Sequence, residues 1–515
     1  MKTRLLAALL LAAPLCLAAQ VGPRSDLKSA AARITAAEIQ HRIDILAHDS
    51  MGGRDTPSPG LEKAAEWLAR EFARFGLKPA GDSGTYLQRY EVNVAVPDPD
   101  STFLELRIPG SAPARLAIGP DVHIEGVAPR TATQYEVVLL GGKSLDPGAI
   151  KAEAVRGKLA IIVTDWTGGM GPQIQEAAVT AVTRGALGVL LPINNDSLAA
   201  QMGLGTPAGP TVRLGPPRPA GPSNGRFFAL TSDAALARAL PDVRQQIAFL
   251  RNSPRTTVAP VTDWRATLVS KEGEARSVLV PNTVGLLEGT DPKLRNEYLV
   301  ITAHMDHVGS SCGGVTPENQ VCNGADDNAS GTVGLIALAK AFEQAPPARS
   351  VLFVAVSGEE KGLWGSAHFA ERPPVPISAM VANLNMDMIG RNWTDSIVAV
   401  GKPHSSLGAL VDRLAAEHPE LGMTVVDDLW PDENLFMRSD QYNFARKGIP
   451  ALFFTSGLHG DYHAASDTPD KIDAEKQARL LQLIFYLGHE IASAPERPVW
   501  DQASYQRIVR PAGQP

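Results

Sequence analysis

Cysteine is almost missing from this chain, with three residues in 515. Cys16 lies inside an N-terminal apolar run, which leaves only Cys312 and Cys322 as a pair. Two thiols are too few to frame a fold, so stability must come from an apolar core, and 44% hydrophobic residues supply one. A basic excess is missing too: 48 Lys and Arg stand against 55 Asp and Glu, a formal charge of -7. With no basic stripe, nucleic acid and other anionic partners are disfavoured. After the first twenty residues no apolar stretch reaches the roughly 20 residues that a membrane span requires. Internal repeats are absent, and the length calls for at least two domains.

The N-terminus sets the expected destination. Lys2 and Arg4 precede the apolar run Leu5 to Leu17, and small residues follow at Ala18 and Ala19. That pattern predicts a signal peptide over 1–19 and an exported protein, periplasmic or secreted, with no membrane attachment after its removal. Lipid anchoring through Cys16 is disfavoured because Leu15 is not the small residue such processing wants. In an oxidising compartment Cys312 and Cys322 are expected to form a disulfide.

Two textures follow. Residues 36–77 have helical spacing: Leu61, Ala65, Leu68, Phe72 and Phe75 recur three to four apart, and Gly76 is a natural stop. From about residue 96, short strand-like runs alternate with Pro and Gly, and residues 202–225 read as loop. From Tyr298 onward, buried-strand runs (Y-L-V-I-T-A, V-L-F-V-A-V, A-N-L-N-M, I-V-A-V, A-L-F-F-T) alternate with helical stretches near 329–344, 361–371, 405–418 and 474–492. Continuous apolar strands between helices predict an α/β three-layer sandwich with a mostly parallel central sheet. Residues 496–515 read as a loose tail.

The chemistry is concentrated after Ala303. In order come A-H-M-D-H, G-A-D-D-N-A-S-G, S-G-E-E, N-M-D-M-I-G and D-Y-H-A-A-S-D-T. They contribute His304, Asp326, Glu360, Asp387 and His463, a set of two imidazoles and three carboxylates. Two zinc ions sharing one carboxylate need such a set, with a position left open on each. Glu359, directly before a ligand, is free to handle protons. Each motif follows a predicted strand, so the ligands are expected to meet in the crevice at the strands' carboxyl ends. His307, His404 and His459 are read as structural or surface, and Trp364 and Met386 as core.

The order and spacing of these motifs resemble the M28 family of zinc peptidases, bacterial aminopeptidases and glutamate carboxypeptidases among them. L-A-R-E-F-A-R-F-G-L-K-P-A-G and S-D-Q-Y-N-F-A-R-K-G-I-P-A-L-F-F extend the likeness. Residues 134–265 resemble a protease-associated (PA) domain at G-K-L-A-I-I-V and R-G-A-L-G-V-L-L. The resemblance implies a peptidase domain from 30–110 and 275–495 with the PA domain inserted. It also implies zinc on His304 and Asp387, a second zinc on Glu360 and His463, and Asp326 bridging, with Asp327 the residue most easily confused with it. Asp306 would orient His304, Glu359 would be the general base and then acid, and Tyr462 would face the developing oxyanion. The expected activity is that of a di-zinc exopeptidase acting on peptides, an aminopeptidase first. Rivals are a carboxypeptidase or dipeptidase of the same family, a glutaminyl cyclase, or a binding protein without catalysis.

Overall fold

A computed structural model of the chain describes residues 27–509, apart from 127, 128, 130, 168–170, 203, 206–209, 217–225, 260, 273 and 274. The predicted signal segment 1–19, Cys16 included, lies outside the described residues. Among those described, no helix is long and apolar enough to cross a membrane.

The larger of two sheets is built from β1 (Leu87–Ala95), β2 (Thr211–Leu214), β3 (Arg276–Leu287), β4 (Tyr298–His304), β5 (Ser350–Val356), β6 (Met380–Met386), β7 (Ser396–Val400), β8 (Thr424–Val426) and β9 (Ala451–Thr455). Their spatial order is β8-β7-β9-β6-β4-β5-β3-β1-β2, and Lys78–Pro79 pairs beside β3. The middle of the sheet is parallel: β9, β6, β4 and β5 all run one way. Its flanks are not, since β3 runs antiparallel to β5 and to β1, β1 to β2, and β7 to β9. The expectation of a mostly parallel sheet therefore holds only at the centre. Parallel neighbours need a crossover, and helices Gly331–Gln344 and Trp364–Glu371 follow β4 and β5 in the chain.

Period-two burial makes the sandwich. Leu299, Ile301 and Ala303 of β4 join one core with helices Ala36–Leu46, Pro59–Arg74, Gly331–Gln344 and Ala474–Ser493. Val300 points the other way, into a core with Leu352, Val354, Phe369 and Phe444. Helix Pro59–Arg74 begins as its sequence dictates: Ser58 accepts a hydrogen bond from the Leu61 amide, and Pro59 occupies the first turn.

The second sheet has nine strands and takes residues from Pro97 to Glu272, a wider span than 134–265. Thr133–Gly141, Lys158–Val163, Gly188–Ile193 and Phe227–Ser232 run parallel at its centre. Separate apolar cores cover its two faces.

Two readings are corrected. Within the Gly- and Pro-rich 202–225 stretch, Thr211–Leu214 is a strand; its amides and carbonyls pair along β1 and make it the edge of the sheet, a partner no local pattern reveals. The tail is not loose as far as residue 509. Gln502–Ile508 is a helix, Ile508 is buried with Val398, Val400 and Phe453, and Trp500 Nε1 donates to the Gly448 carbonyl at 2.9 Å. The Cys312–Cys322 disulfide is formed.

Candidate metal centre

The parallel strands deliver their carboxyl ends to one edge of the sheet, and the site lies there. His304 is the last residue of β4, Asp387 directly follows β6, and Glu359 and Glu360 lie shortly beyond β5. His463 arrives on the loop after β9, at positive φ (49°).

His304 is buried. Its Nδ1 donates to the Asp306 carbonyl at 3.2 Å, since a carbonyl can only accept. Nε2 then stands 3.1 Å from Asp387 Oδ1 and 3.4 Å from Asp327 Oδ1. Asp387 is held from behind by Ser439, whose hydroxyl donates to Oδ2 at 2.9 Å. On the other side, Glu360 Oε2 lies 3.0 Å and Asp327 Oδ2 3.2 Å from His463 Nε2. Glu360 Oε1 meets His307 Nδ1 at 3.0 Å. Two groups result, His304–Asp327–Asp387 and His307–Asp327–Glu360–His463, and Asp327 is common to both.

Asp326 is a correction. Its carboxylate faces away, accepting from the Gly390 amide at 2.6 Å and meeting His459 Nε2 at 3.2 Å. The turn Ala325–Ser330 departs from helical geometry at Asp327 (φ -105°, ψ 92°), which turns the next side chain into the site. Both backbone amides donate to Asp467, at 3.0 Å from Asp326 and 3.1 Å from Asp327. Gly324 leads into this turn at φ 57°, where a Cβ would stand 2.2 Å from the Asp327 carbonyl oxygen and 2.6 Å from the His307 ring. Only glycine fits there.

The electrostatics are those of carboxylates short of positive charge. Burial raises Glu359 well above the ordinary carboxyl range; His304 opposes this, while the charges of Asp387, Asp440 and Glu360 reinforce it. Burial also works on Glu360, yet the imidazoles of His307 and His463 beside it override this and hold that carboxyl far below its usual value. Burial and Glu360 push Asp327 up to about 6. Burial would lower His463, but Asp327 and Glu360 win and lift it to about 10.

The donor set fits metal. Asp327 Oδ2 and His463 Nε2 are buried atoms 3.2 Å apart, and among the described residues neither has a hydrogen-bond partner. Imidazole nitrogens with carboxylate oxygens, two of them from one shared Asp, are ligands suited to zinc.

A cavity of about 200 Å³ opens onto this centre, lined by Glu359, Trp430, Leu435, Phe453 and Tyr462 among others. Tyr462 is 37% exposed and stacks on His463 with ring centroids 3.9 Å apart. Asp306 is fully buried, with Oδ1 3.7 Å from His304 Nδ1, so its carbonyl makes the closer contact with that ring.

Sequence reasoning set aside two histidines that the fold brings in. His307 faces Glu360, and His459 braces Asp326. His307 shares its motif with His304, and that proximity was the available signal. His404 does stand apart, its ring edge-on to Phe436 and Nδ1 3.2 Å from the Ser504 hydroxyl.

Comparison with known proteins agrees with this architecture. Residues 282–488 match the profile of peptidase family M28. The aminopeptidase YwaD of Bacillus subtilis (strain 168) is 29% identical over 227 residues, which is 42% of this chain and 46% of that protein. Thus the chain spans about half the length of this curated relative. An aminopeptidase from Aneurinibacillus sp. strain AM-1 superposes with a TM-score of 0.57 at 17% identity, over 92% of this chain and 98% of that one. BSAP, a zinc aminopeptidase from Bacillus subtilis, gives 0.53 at 17% identity over 90% and 96%. At such identities the likeness is one of fold. The similarity to peptidase family M28 thus covers residues 282–488 of the chain.

Proposed function

We propose that this chain is an exported di-zinc aminopeptidase that removes N-terminal residues from peptides. The observation that carries the reading is Asp327, whose two carboxylate oxygens face two separate histidine–carboxylate groups. His304 and Asp387 would hold one zinc, Glu360 and His463 the other, and Asp327 would bridge them, with His307 beside the second. Bound zinc would lower the pKa of a water toward about 7 and polarise the peptide carbonyl.

The chain's own residues do the rest. Glu359 takes the proton of the attacking water and returns it to the leaving amine. Its burial beside other carboxyls makes it a strong proton acceptor, because the charged form is disfavoured there. Tyr462 lines the same cavity and can donate to a developing oxyanion. Asp387 is oriented by Ser439, and His304 by the Asp306 carbonyl. In the same reading residues 1–19 are a signal peptide and 134–265 an inserted PA domain.

One peptide tests this, offered with a free N-terminus, an acetylated N-terminus or an amidated C-terminus, with and without a zinc chelator. The expected result is chelator-sensitive cleavage that acetylation blocks and amidation spares. Cleavage that survives acetylation but is lost on amidation would make the enzyme a carboxypeptidase.

A further inference from the structure

The three consecutive residues Arg54, Asp55 and Thr56 lie far from every metal motif in sequence, yet together they grip the loops that carry the site. Arg54 is fully buried. Its Nε donates to the Met305 carbonyl at 2.9 Å, one terminal nitrogen to Leu46 and Asn323 at 2.8 and 2.7 Å, and the other to Gly324 at 2.9 Å. A buried guanidinium costs many kcal/mol unless its donors are used, and here they are spent on backbone that flanks His304 and Asp327. Asp55 pairs with Lys361, next to Glu360, at 2.8 Å. Thr56 is buried with both functions of its hydroxyl committed: it donates to Asp306 Oδ2 at 3.0 Å and accepts from the Gly358 amide at 3.1 Å. Asp306 Oδ1 in turn accepts from the Glu359 amide at 3.3 Å.

The backbone closes the same contact. The His307 amide donates to the Arg54 carbonyl at 3.3 Å, and Gly309 to Gly53 at 3.0 Å. A Cβ on Gly53 would stand 2.3 Å from the Gly309 carbonyl oxygen and 2.7 Å from that of Cys322, so the approach admits glycine alone.

We infer that Arg54–Thr56 is a positioning bracket, and that the Thr56 hydroxyl, shared between Asp306 and the Gly358 amide, sets where the Glu359 carboxylate stands. This rests on the reading of Glu359 as general base. The two peptide units leading into Glu359 each have an acceptor, Thr56 Oγ1 for the Gly358 amide and Asp306 Oδ1 for the Glu359 amide, and Thr56 also holds that Asp. Removing the hydroxyl leaves a buried amide and a carboxylate oxygen without partners, so the loop must move to find others. Arg54 acts on the other half of the site, holding the entry to the Asp327 turn.

The test uses the full chain with Thr56→Val, which keeps the shape, and Thr56→Ser, which keeps the hydroxyl. Amide hydrogen exchange over 356–361 is measured with and without zinc, and kcat, KM and zinc content are measured on the loaded enzymes. Thr56→Val is expected to lose exchange protection at Gly358 and Glu359. It should also lower kcat by roughly 10²-fold, as a displacement of about 1 Å does, with KM and zinc content little changed. Thr56→Ser should restore protection and turnover. Unchanged protection in Thr56→Val, or a Thr56→Ser enzyme as impaired as Thr56→Val, would overturn the bracket. Protection lost in Thr56→Val, alongside a wild-type protein that keeps its protection but cleaves no peptide, would instead overturn the peptidase reading and leave the bracket standing.

Discussion

Glu359 and Glu360 are neighbours in the chain whose carboxyls are driven in opposite directions. Burial raises Glu359, the proposed proton carrier, while His307 and His463 hold Glu360 ionised, as its proposed ligand role requires. Glu359→Gln should therefore retain bound zinc and lose roughly 10²–10⁴-fold in kcat. Glu360→Gln should lose zinc. Metal analysis beside steady-state kinetics separates the two, and zinc lost from Glu359→Gln would mean the roles are exchanged.

Asp326 and Asp327 make a second contrast. Asp327→Asn removes a charge from both metal groups, so zinc content should fall at both positions. Asp326→Ala leaves the Gly390 amide and His459 without their acceptor and should cost about 1–3 kcal/mol of stability while zinc content holds. Thermal melts with metal analysis decide it. The reverse pattern would restore Asp326 as the bridge.

Zinc uptake should depend on pH through His463. In the metal-free protein its pKa is raised from 6.5 to about 10. The folded state then binds this proton more tightly than the unfolded chain does. That stabilisation is complete below 6.5 and is lost as pH rises through about 10. A ligand imidazole must give the proton up, so zinc affinity should climb with pH across the same window. Titration calorimetry in buffers of different ionisation enthalpy should show proton release on binding, and its absence would contradict the assignment.

The C-terminal helix carries a stability prediction. Ile508 is 4% exposed against Val398, Val400 and Phe453. Ile508→Ala should cost about 2–4 kcal/mol, read as a shift of the denaturant midpoint with little change in slope. A cost near zero would mean the tail detaches readily.

Much of this was legible beforehand. Runs such as Y-L-V-I-T-A and V-L-F-V-A-V are apolar on both faces of the strand, which only a covered parallel strand tolerates, so β4 and β5 and the convergence of motifs at their ends could be read directly. The antiparallel flanks could not, because pairing direction depends on where a distant strand arrives. The strand Thr211–Leu214 was hidden for the same reason: Gly and Pro on both sides say loop, and only the edge of β1 says otherwise.

What the sequence by itself determined is the chemistry available: which imidazoles and carboxylates exist, their order, and the strands that carry them to one edge. Tertiary structure decided which atom of each faces which. Two adjacent aspartates are equivalent on paper, and the dihedral turn at Asp327 sends one to the metal groups and the other to Gly390 and His459. Arg54 and Thr56 could not be read at all. Apart from the Leu46 carbonyl, their partners are backbone amides, carbonyls and one carboxylate some 250–300 residues away, and only the closed fold brings those within 3 Å or so.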